Sequence, residues 1–195
     1  MKMTFILLLA CAFLQTAHAY PEFQRFAQDH SGRPINCAMC HANSDGPEGA
    51  GRGQIGSLTP AELNKLNAAR GAFAPGVPVQ SPILNEFGNA IITQIGKTKF
   101  LELRAHPDQL ADVYGFASDL DGDGIPDAQE YLDGTHPLNK VHGSPWKLFV
   151  HNLGAYKLHV TMLILATVAG LWGLSHLLYG LASGTQSTRP DEVRN

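Results

Sequence analysis

The chain has little net charge and no run of basic residues. Its 14 lysines and arginines stand against 17 acidic residues, which leaves a formal charge of -3 at pH 7. A nucleic-acid-binding protein needs a basic patch to neutralise phosphates, so the sequence argues against that class. Cysteine is scarce too, with 3 in 195 residues. Cys37 and Cys40 form the one closely spaced pair, so the four ligands of a structural zinc site are missing.

Strand-like apolar runs are also lacking on both sides of the cysteine pair, where the sequence is rich in glycine and proline. A thioredoxin-like redox pair would be expected near a βαβ pattern, so this use of the thiols is disfavoured. The 20 glycines and 12 prolines of the whole chain predict long loops. A plain disulfide between Cys37 and Cys40 is the simplest alternative that needs no cofactor.

The residues present at the pair are Cys37-Ala38-Met39-Cys40-His41. Two thiols at this spacing can each add across a vinyl group of haem, and a histidine directly after the second thiol is placed to bind the iron. The motif resembles the haem attachment site of cytochromes c. The resemblance implies one covalently bound haem c, attached through Cys37 and Cys40, with His41 as the proximal iron ligand.

Methionine is absent between His41 and Met162, and Met39 lies inside the attachment loop, from which it cannot reach the other face of a haem. The second axial ligand of the iron is therefore predicted to be a histidine or to be absent, and an absent ligand would let small molecules bind. The histidine ranked first lies at a helix break well after the motif. The candidates, in order, are His106, His30, His136 and His142.

The first 19 residues predict a secretory signal peptide. Lys2 precedes an apolar run, and Ala17-His18-Ala19 forms a small-x-small cleavage site. A lipobox at residues 8–11 is the alternative, and it would make Cys11 a lipidated N-terminus. Export agrees with the resemblance, because haem is attached to cytochromes c outside the cytoplasmic membrane of bacteria.

The composition changes at residue 144. Residues 144–157 predict an interfacial segment. Residues 158–182 predict a transmembrane helix, because the stretch to residue 181 contains no Asp, Glu, Lys or Arg. Residues 183–195 would then be a short cytoplasmic tail. His159 and His176 lie in the predicted helix, where they either reach the interface or ligate a haem b shared with a partner subunit.

Residues 20–143 predict a small, mostly helical haem c domain, so the expected fold class is all-α with long loops. Thr59 and Glu62 form a capping-box pattern that predicts a helix over Pro60–Arg70. A further helix is predicted over residues 82–96 by apolar residues at three- and four-residue spacing, followed by two short helices. The phrase at residues 82–88 resembles a segment found downstream of the haem motif in some bacterial haem proteins.

Residues 119–130 carry oxygen ligands at the first, third, fifth, ninth and twelfth positions, with Gly124 at the sixth. This spacing resembles EF-hand loops, and Pro126 makes it closer to the calcium repeats of thrombospondin type 3 and dockerin proteins. It predicts a calcium ion that stabilises the fold, with a solvated acidic turn as the alternative. The predicted ligands are the side chains of Asp119, Asp121, Asp123, Asp127 and Glu130 and the backbone carbonyl of Ile125.

These features together predict an electron-transfer c-type cytochrome subunit, not an enzyme, anchored in the bacterial inner membrane with its haem domain on the periplasmic side. The expected partners are a membrane-embedded oxidoreductase subunit, a soluble periplasmic electron carrier, or both. Two other classes stay open. An open distal site would suit a haem-based enzyme or gas sensor. A chain without haem would suit a calcium-stabilised assembly or adhesion subunit.

Overall fold

A computed structural model describes residues 20–186, with side chains as far as residue 183. Within these residues the chain is mostly helical and contains no strand, which confirms the predicted all-α class for this part. The α-helices, in chain order, are α1 Pro21–Ser31, α2 Pro60–Arg70, α3 Glu86–Glu102, α4 Leu110–Tyr114, α5 Asp127–Asp133, α6 Pro145–Ala155 and α7 Lys157–Gln186. The predicted signal peptide, the alternative lipidation site Cys11 and residues 187–195 of the predicted tail lie outside the described residues.

Helix α2 begins and ends where its sequence predicts. The Thr59 side chain accepts from the Glu62 backbone N–H at 3.4 Å, and the Glu62 carboxylate accepts from the Thr59 N–H at 2.8 Å. Pro60 occupies the first turn, where its missing N–H costs nothing. The reciprocal capping box therefore sets the start of the helix.

Helix α3 begins later than predicted and is broken where its end was predicted. It begins at Glu86 because Asn85 is the N-cap, its side chain accepting from the Gly88 N–H at 2.9 Å. The predicted end at Gly96 coincides with a break, because Gly96 has the non-helical angles φ 75° and ψ 152°, and a further helical stretch follows to Glu102. The backbone at Phe73 lies against Gly96, so a side chain at this position would collide with it. Glycine therefore permits the sharp kink between the two stretches.

The core of the helical domain is formed where α1, α3, α4 and α5 pack together. Phe23 of α1 stacks on Phe100 of α3 with ring centroids 4.6 Å apart, and Phe87 meets Tyr114 of α4 edge to face at 5.6 Å. Tyr131 of α5 is almost fully buried among them. These aromatic side chains supply much of the apolar area that holds the short helices together.

The chain divides into two compact units, of which the first ends at Leu148 and the second begins at Phe149. In the second unit, residues Lys157–Ser183 of α7 form the one described helix that is long and apolar enough to cross a membrane. Their mean hydropathy is 1.7, and none of them is buried. The helix was predicted to end at residue 182 and runs to Gln186.

Candidate functional site

The attachment loop is a single 3-10 turn, Cys37–Met39, held from two sides. Asn36 caps the turn by accepting from the Ala38 N–H at 2.9 Å. From the start of α3, the Asn85 side chain donates to the carbonyls of Ala38 at 2.6 Å and Met39 at 3.0 Å, and its N–H donates to the Cys40 carbonyl at 3.1 Å. One asparagine therefore satisfies three carbonyls of the loop and fixes its shape.

Packing at the same point requires a glycine. A Cβ at Gly88 would overlap with the carbonyl oxygen of Cys40, so α3 can approach the loop only without a side chain there. Asn85 and Gly88 both belong to the segment at residues 82–88, which resembles a segment downstream of the haem motif in some bacterial haem proteins. Their contacts with the loop were not predicted, and that segment was the signal that could have indicated them.

His41 is oriented by the backbone of the same segment, residues 82–88. Its Nδ1 lies 3.1 Å from the carbonyl oxygen of Ile83, which can only accept a hydrogen bond, so Nδ1 carries the proton. The Nε2 lone pair is then left for a metal, as in many metal-binding histidines. Burial lowers the pKa of His41, which favours the neutral, ligating imidazole.

Both thiols of the motif are free in the structure, so the alternative of a disulfide between them is not observed. Cys37 Sγ lies 3.8 Å from Gln24 Oε1. Burial raises the pKa of Cys37, and burial together with the neighbouring Cys37 raises the pKa of Cys40 to about 12. The pair is therefore held as neutral thiols beside an apolar space.

That space is a cavity of about 480 Å³, within the usual range of roughly 300–1,000 Å³ for cofactor pockets. Cys37, Cys40 and His41 all line it. Its apolar wall comes from every helix of the domain core and includes Ile35, Leu66, Ile91, Phe100, Leu110 and Tyr131. Two free thiols and an available imidazole nitrogen in the wall of such a cavity fit the attachment of one haem c.

The ranked distal histidines lie away from this cavity. His41 is the one histidine among the described residues that line it. His30 and His106 are exposed, and the ring of His30 stacks on Phe26 instead. His142 is also exposed, while burial lowers the pKa of the half-buried His136. The structure therefore brings His41, but none of these four histidines, to the cavity.

The two histidines of α7 are exposed along the helix. The ring of His159 meets Tyr156 at 6.0 Å, and the ring of His176 meets Trp172 edge-on at 4.6 Å. Gly170, between these two histidines in the sequence, has no atom within 4 Å of where a Cβ would stand. This face of the helix is therefore open within the described chain.

The acidic loop brings together carboxylate oxygens that lack protein donors. Ligand atoms of Asp119, Asp121 and Asp123 lie within 4.8 Å of one another. Among the described residues, Asp121 Oδ2, Asp123 Oδ2 and Glu130 Oε2 are buried without a hydrogen-bond partner. Burial, together with the charges of the neighbouring aspartates, raises the pKa of Glu130 to about 8. Buried oxygens without donors fit a hard cation such as Ca²⁺.

The two other predicted calcium ligands, Asp127 and Ile125, are buried. Asp127 is fully buried, and both of its oxygens accept from protein donors: Oδ2 from Tyr114 and Ser118, and Oδ1 from the Leu120 N–H at 2.9 Å. The structure thus gives Asp127 the role of a brace beneath the loop. Ile125 is buried directly after Gly124, at the position predicted to donate its carbonyl.

No protein-family model, no curated protein and no solved structure matches this chain. Its function is therefore argued from the geometry of the cavity and the acidic loop.

Proposed function

We propose that this protein is a membrane-anchored electron carrier with one haem c and one calcium ion. The observation that carries the proposal is the cavity of about 480 Å³, whose wall contains Cys37, Cys40 and His41 together. An apolar cavity of cofactor size, with two free thiols and an oriented imidazole in its wall, supports the covalent attachment of a haem.

A bound haem c supplies a reversible one-electron couple. Cys37 and Cys40 hold it through thioether bonds, and His41 offers its Nε2 to the iron while Ile83 holds the ring. The apolar wall keeps water from the porphyrin, and Asn85 keeps the attachment loop in shape. The chain's own residues therefore bind, orient and insulate the redox group.

The test is the mass of the mature chain made in a bacterial host with cytochrome c maturation machinery. We expect the mass of one haem in addition to the polypeptide, and a haem stain that survives denaturing electrophoresis. The variant with Cys37→Ala and Cys40→Ala should lose both, whereas His142→Ala, which changes an exposed histidine outside the cavity, should keep them. A wild-type chain that weighs only its amino acids would refute the haem and favour the assembly or adhesion subunit.

The calcium proposal is supported by the buried oxygens of Asp121, Asp123 and Glu130 that lack donors. Isothermal titration of the calcium-free protein should show one site, and a single loop of this kind in an exported protein is expected to bind at about 10⁻⁴–10⁻³ M. Glu130→Gln should weaken binding at least tenfold because an amide oxygen replaces a carboxylate that can ionise to bind the cation. Asp112→Asn, an exposed change on α4, should leave binding unchanged; no heat of binding in the wild type would refute the site.

A second candidate function is a haem-based enzyme or gas sensor, and it is favoured by one observation. His41 is the one histidine among the described residues lining the cavity, so a second strong axial ligand is not in place. The absorption spectrum of the reduced protein with and without carbon monoxide separates the two functions. No change on adding carbon monoxide supports the electron carrier, while a shifted haem band supports the open site.

The location proposed for the protein is the bacterial inner membrane, with the haem domain on the periplasmic side. It rests on the long apolar helix α7 and on the chemistry of haem attachment, which takes place outside the cytosol. A carrier anchored in this way would exchange electrons with a membrane-embedded oxidoreductase subunit or a soluble periplasmic carrier. Whether His159 or His176 ligates a shared haem b would be tested by the pyridine haemochrome ratio of the purified complex.

A further inference from the structure

We propose that Arg70 and Lys97 form the site that binds the two propionate carboxylates of the haem. This inference rests on the proposed haem c and adds an anion-binding subsite to it. Both residues line the cavity, Arg70 at the end of α2 and Lys97 directly after the kink of α3.

Neither of these two cationic side chains is paired with an acid. Lys97 Nζ donates to the backbone carbonyl oxygen of Arg70 at 3.0 Å and lies 5.1 Å from the centre of the Phe73 ring. The Arg70 guanidinium donates to the Asn67 side chain at 3.3 Å. Neither cation forms an ion pair with a residue that the structure describes. Two cationic side chains in the wall of one cavity, without a carboxylate partner, are a favourable place for an anion.

The third cation of the cavity wall is already neutralised. Arg104 pairs with Glu22 at 2.8 Å and lies 4.7 Å from the centre of the Tyr20 ring. This ion pair lowers the pKa of Glu22, so its carboxylate stays charged at neutral pH. Arg70 and Lys97 are therefore the cations of the cavity that are left for a carboxylate of the cofactor.

Their distance from the thiols agrees with the shape of a haem. The two vinyl groups to which the thiols add lie on one side of the porphyrin, and the two propionates lie on the opposite side. Helix α3 meets the thiol end of the cavity at Gly88, which packs on the Cys40 carbonyl. The regular part of α3 runs on from Gly88 to the break at Gly96, eight residues or roughly 12 Å of helix axis, and Lys97 follows directly. That length is comparable to the width of a porphyrin with its side chains.

The acidic residue of the cavity wall and the two cations without an ion pair belong to different segments of the chain. Glu48 is the one acidic residue among those that line the cavity, and it follows the attachment motif. It lies two residues after Gly46, where a Cβ would stand 3.6 Å from Cys37 Sγ. Glu48 is thus close in the chain to a residue that contacts Cys37, whereas Lys97 lies nine residues beyond Gly88 on α3. A haem tethered at Cys37 and Cys40 would direct its propionates away from Glu48 and toward Arg70 and Lys97.

The test is the midpoint potential of the full-length holoprotein in detergent, measured by spectroelectrochemistry over a range of pH. Removing a cation beside a propionate raises the pKa of that propionate by about one unit. In a plot of midpoint potential against pH, the pH-dependent region should therefore shift to higher pH by about one unit. The potential on the alkaline side should fall, because less positive charge opposes the ferric state. The variants are Arg70→Gln, Lys97→Gln and the two combined.

Lys99→Gln is the matched control, since Lys99 lies on the same helix, outside the cavity lining, and pairs with Glu102 at 3.3 Å. It should reproduce the wild-type curve, and so should the charge-keeping variants Lys97→Arg and Arg70→Lys. A curve unchanged in the double variant, with haem still attached by mass, overturns the propionate site alone. A wild-type chain without haem overturns the proposed function as well, so the two failures are distinguishable.

Discussion

Asp127 illustrates how a residue with the spacing of a calcium ligand can have a different role. Its two oxygens accept hydrogen bonds from Tyr114, Ser118 and Leu120, and its side chain is fully buried. Asp119, by contrast, is exposed, and its oxygens accept from the N–H groups of Gly122 and Gly124. The first aspartate joins the loop to the core, and the second shapes the loop where an ion would bind.

We therefore expect the replacement of these two aspartates by alanine to have different effects on stability and on calcium binding. In calcium-free buffer, Asp127→Ala should lower the free energy of unfolding by about 2–4 kcal/mol, since it leaves buried donors unsatisfied. Asp119→Ala should cost less than about 1 kcal/mol there but should abolish the stabilisation gained on adding calcium. Urea unfolding with a chelator and with excess calcium measures both effects. Equal losses for the two variants in chelator would contradict the assigned roles.

At the scale of one element, the kink of α3 depends on a glycine. Gly96 has φ 75°, and a Cβ there would lie 2.6 Å from the Phe73 carbonyl oxygen. Gly76 has a similar φ of 82°, but nothing lies within 4 Å of the place where its Cβ would be. The two positions share a positive φ and differ in the space available to a Cβ.

This pair gives a matched prediction. Gly76→Ala should cost about 1–2 kcal/mol of stability, which is the penalty of a left-handed residue that carries a Cβ. Gly96→Ala should cost a further 1–3 kcal/mol, roughly, because the backbone at Phe73 must move. Thermal unfolding monitored by circular dichroism would measure the difference. Equal losses of stability in the two variants would contradict the close contact between position 96 and the backbone at Phe73.

Helix α5 links the two candidate sites because neighbouring residues serve different sites. Glu130 lies in the acidic cluster, and Tyr131 lines the cavity, its hydroxyl donating to the carbonyls of Phe23 at 3.3 Å and Pro107 at 3.2 Å. The helix has seven residues, about two turns, so it cannot shift at one residue without the other.

Removing calcium from the holoprotein should therefore change the haem environment. We expect chelation to shift the haem absorption bands and to lower the unfolding temperature, and Glu130→Gln should have both effects without a chelator. Asp112→Asn is the control and should behave as wild type. Haem bands that stay unchanged while calcium demonstrably leaves would show that the two sites are independent.

For the whole molecule, the proposed membrane anchor depends on the long helix α7. Its large apolar residues are nearly all exposed, and the helix is long and apolar enough to cross a membrane. A chain ended after Leu148, where the first compact unit ends, should be soluble after cell disruption. The full chain should remain in the pellet after carbonate extraction. Release of the full chain by carbonate would contradict a membrane span.

Much of this could be predicted from neighbouring residues alone. The motif Cys37-Ala38-Met39-Cys40-His41, the capping box of α2, the spacing of the acidic loop and the apolar run of α7 all depend on groups close together in the chain. Hydrogen bonding within a turn and hydropathy along a helix are local properties, so their patterns can be recognised without a fold.

Only the tertiary structure could decide what each pattern contacts. The hydrogen bonds from Asn85 to Ala38 and Met39, the cavity behind the motif, and the hydrogen bond from Lys97 to the backbone carbonyl of Arg70 join segments far apart in sequence. The inward turn of Asp127 depends in the same way on Tyr114 from another helix. Such contacts depend on how helices pack, and packing is decided by the shape and burial of all their side chains together, which no local spacing encodes.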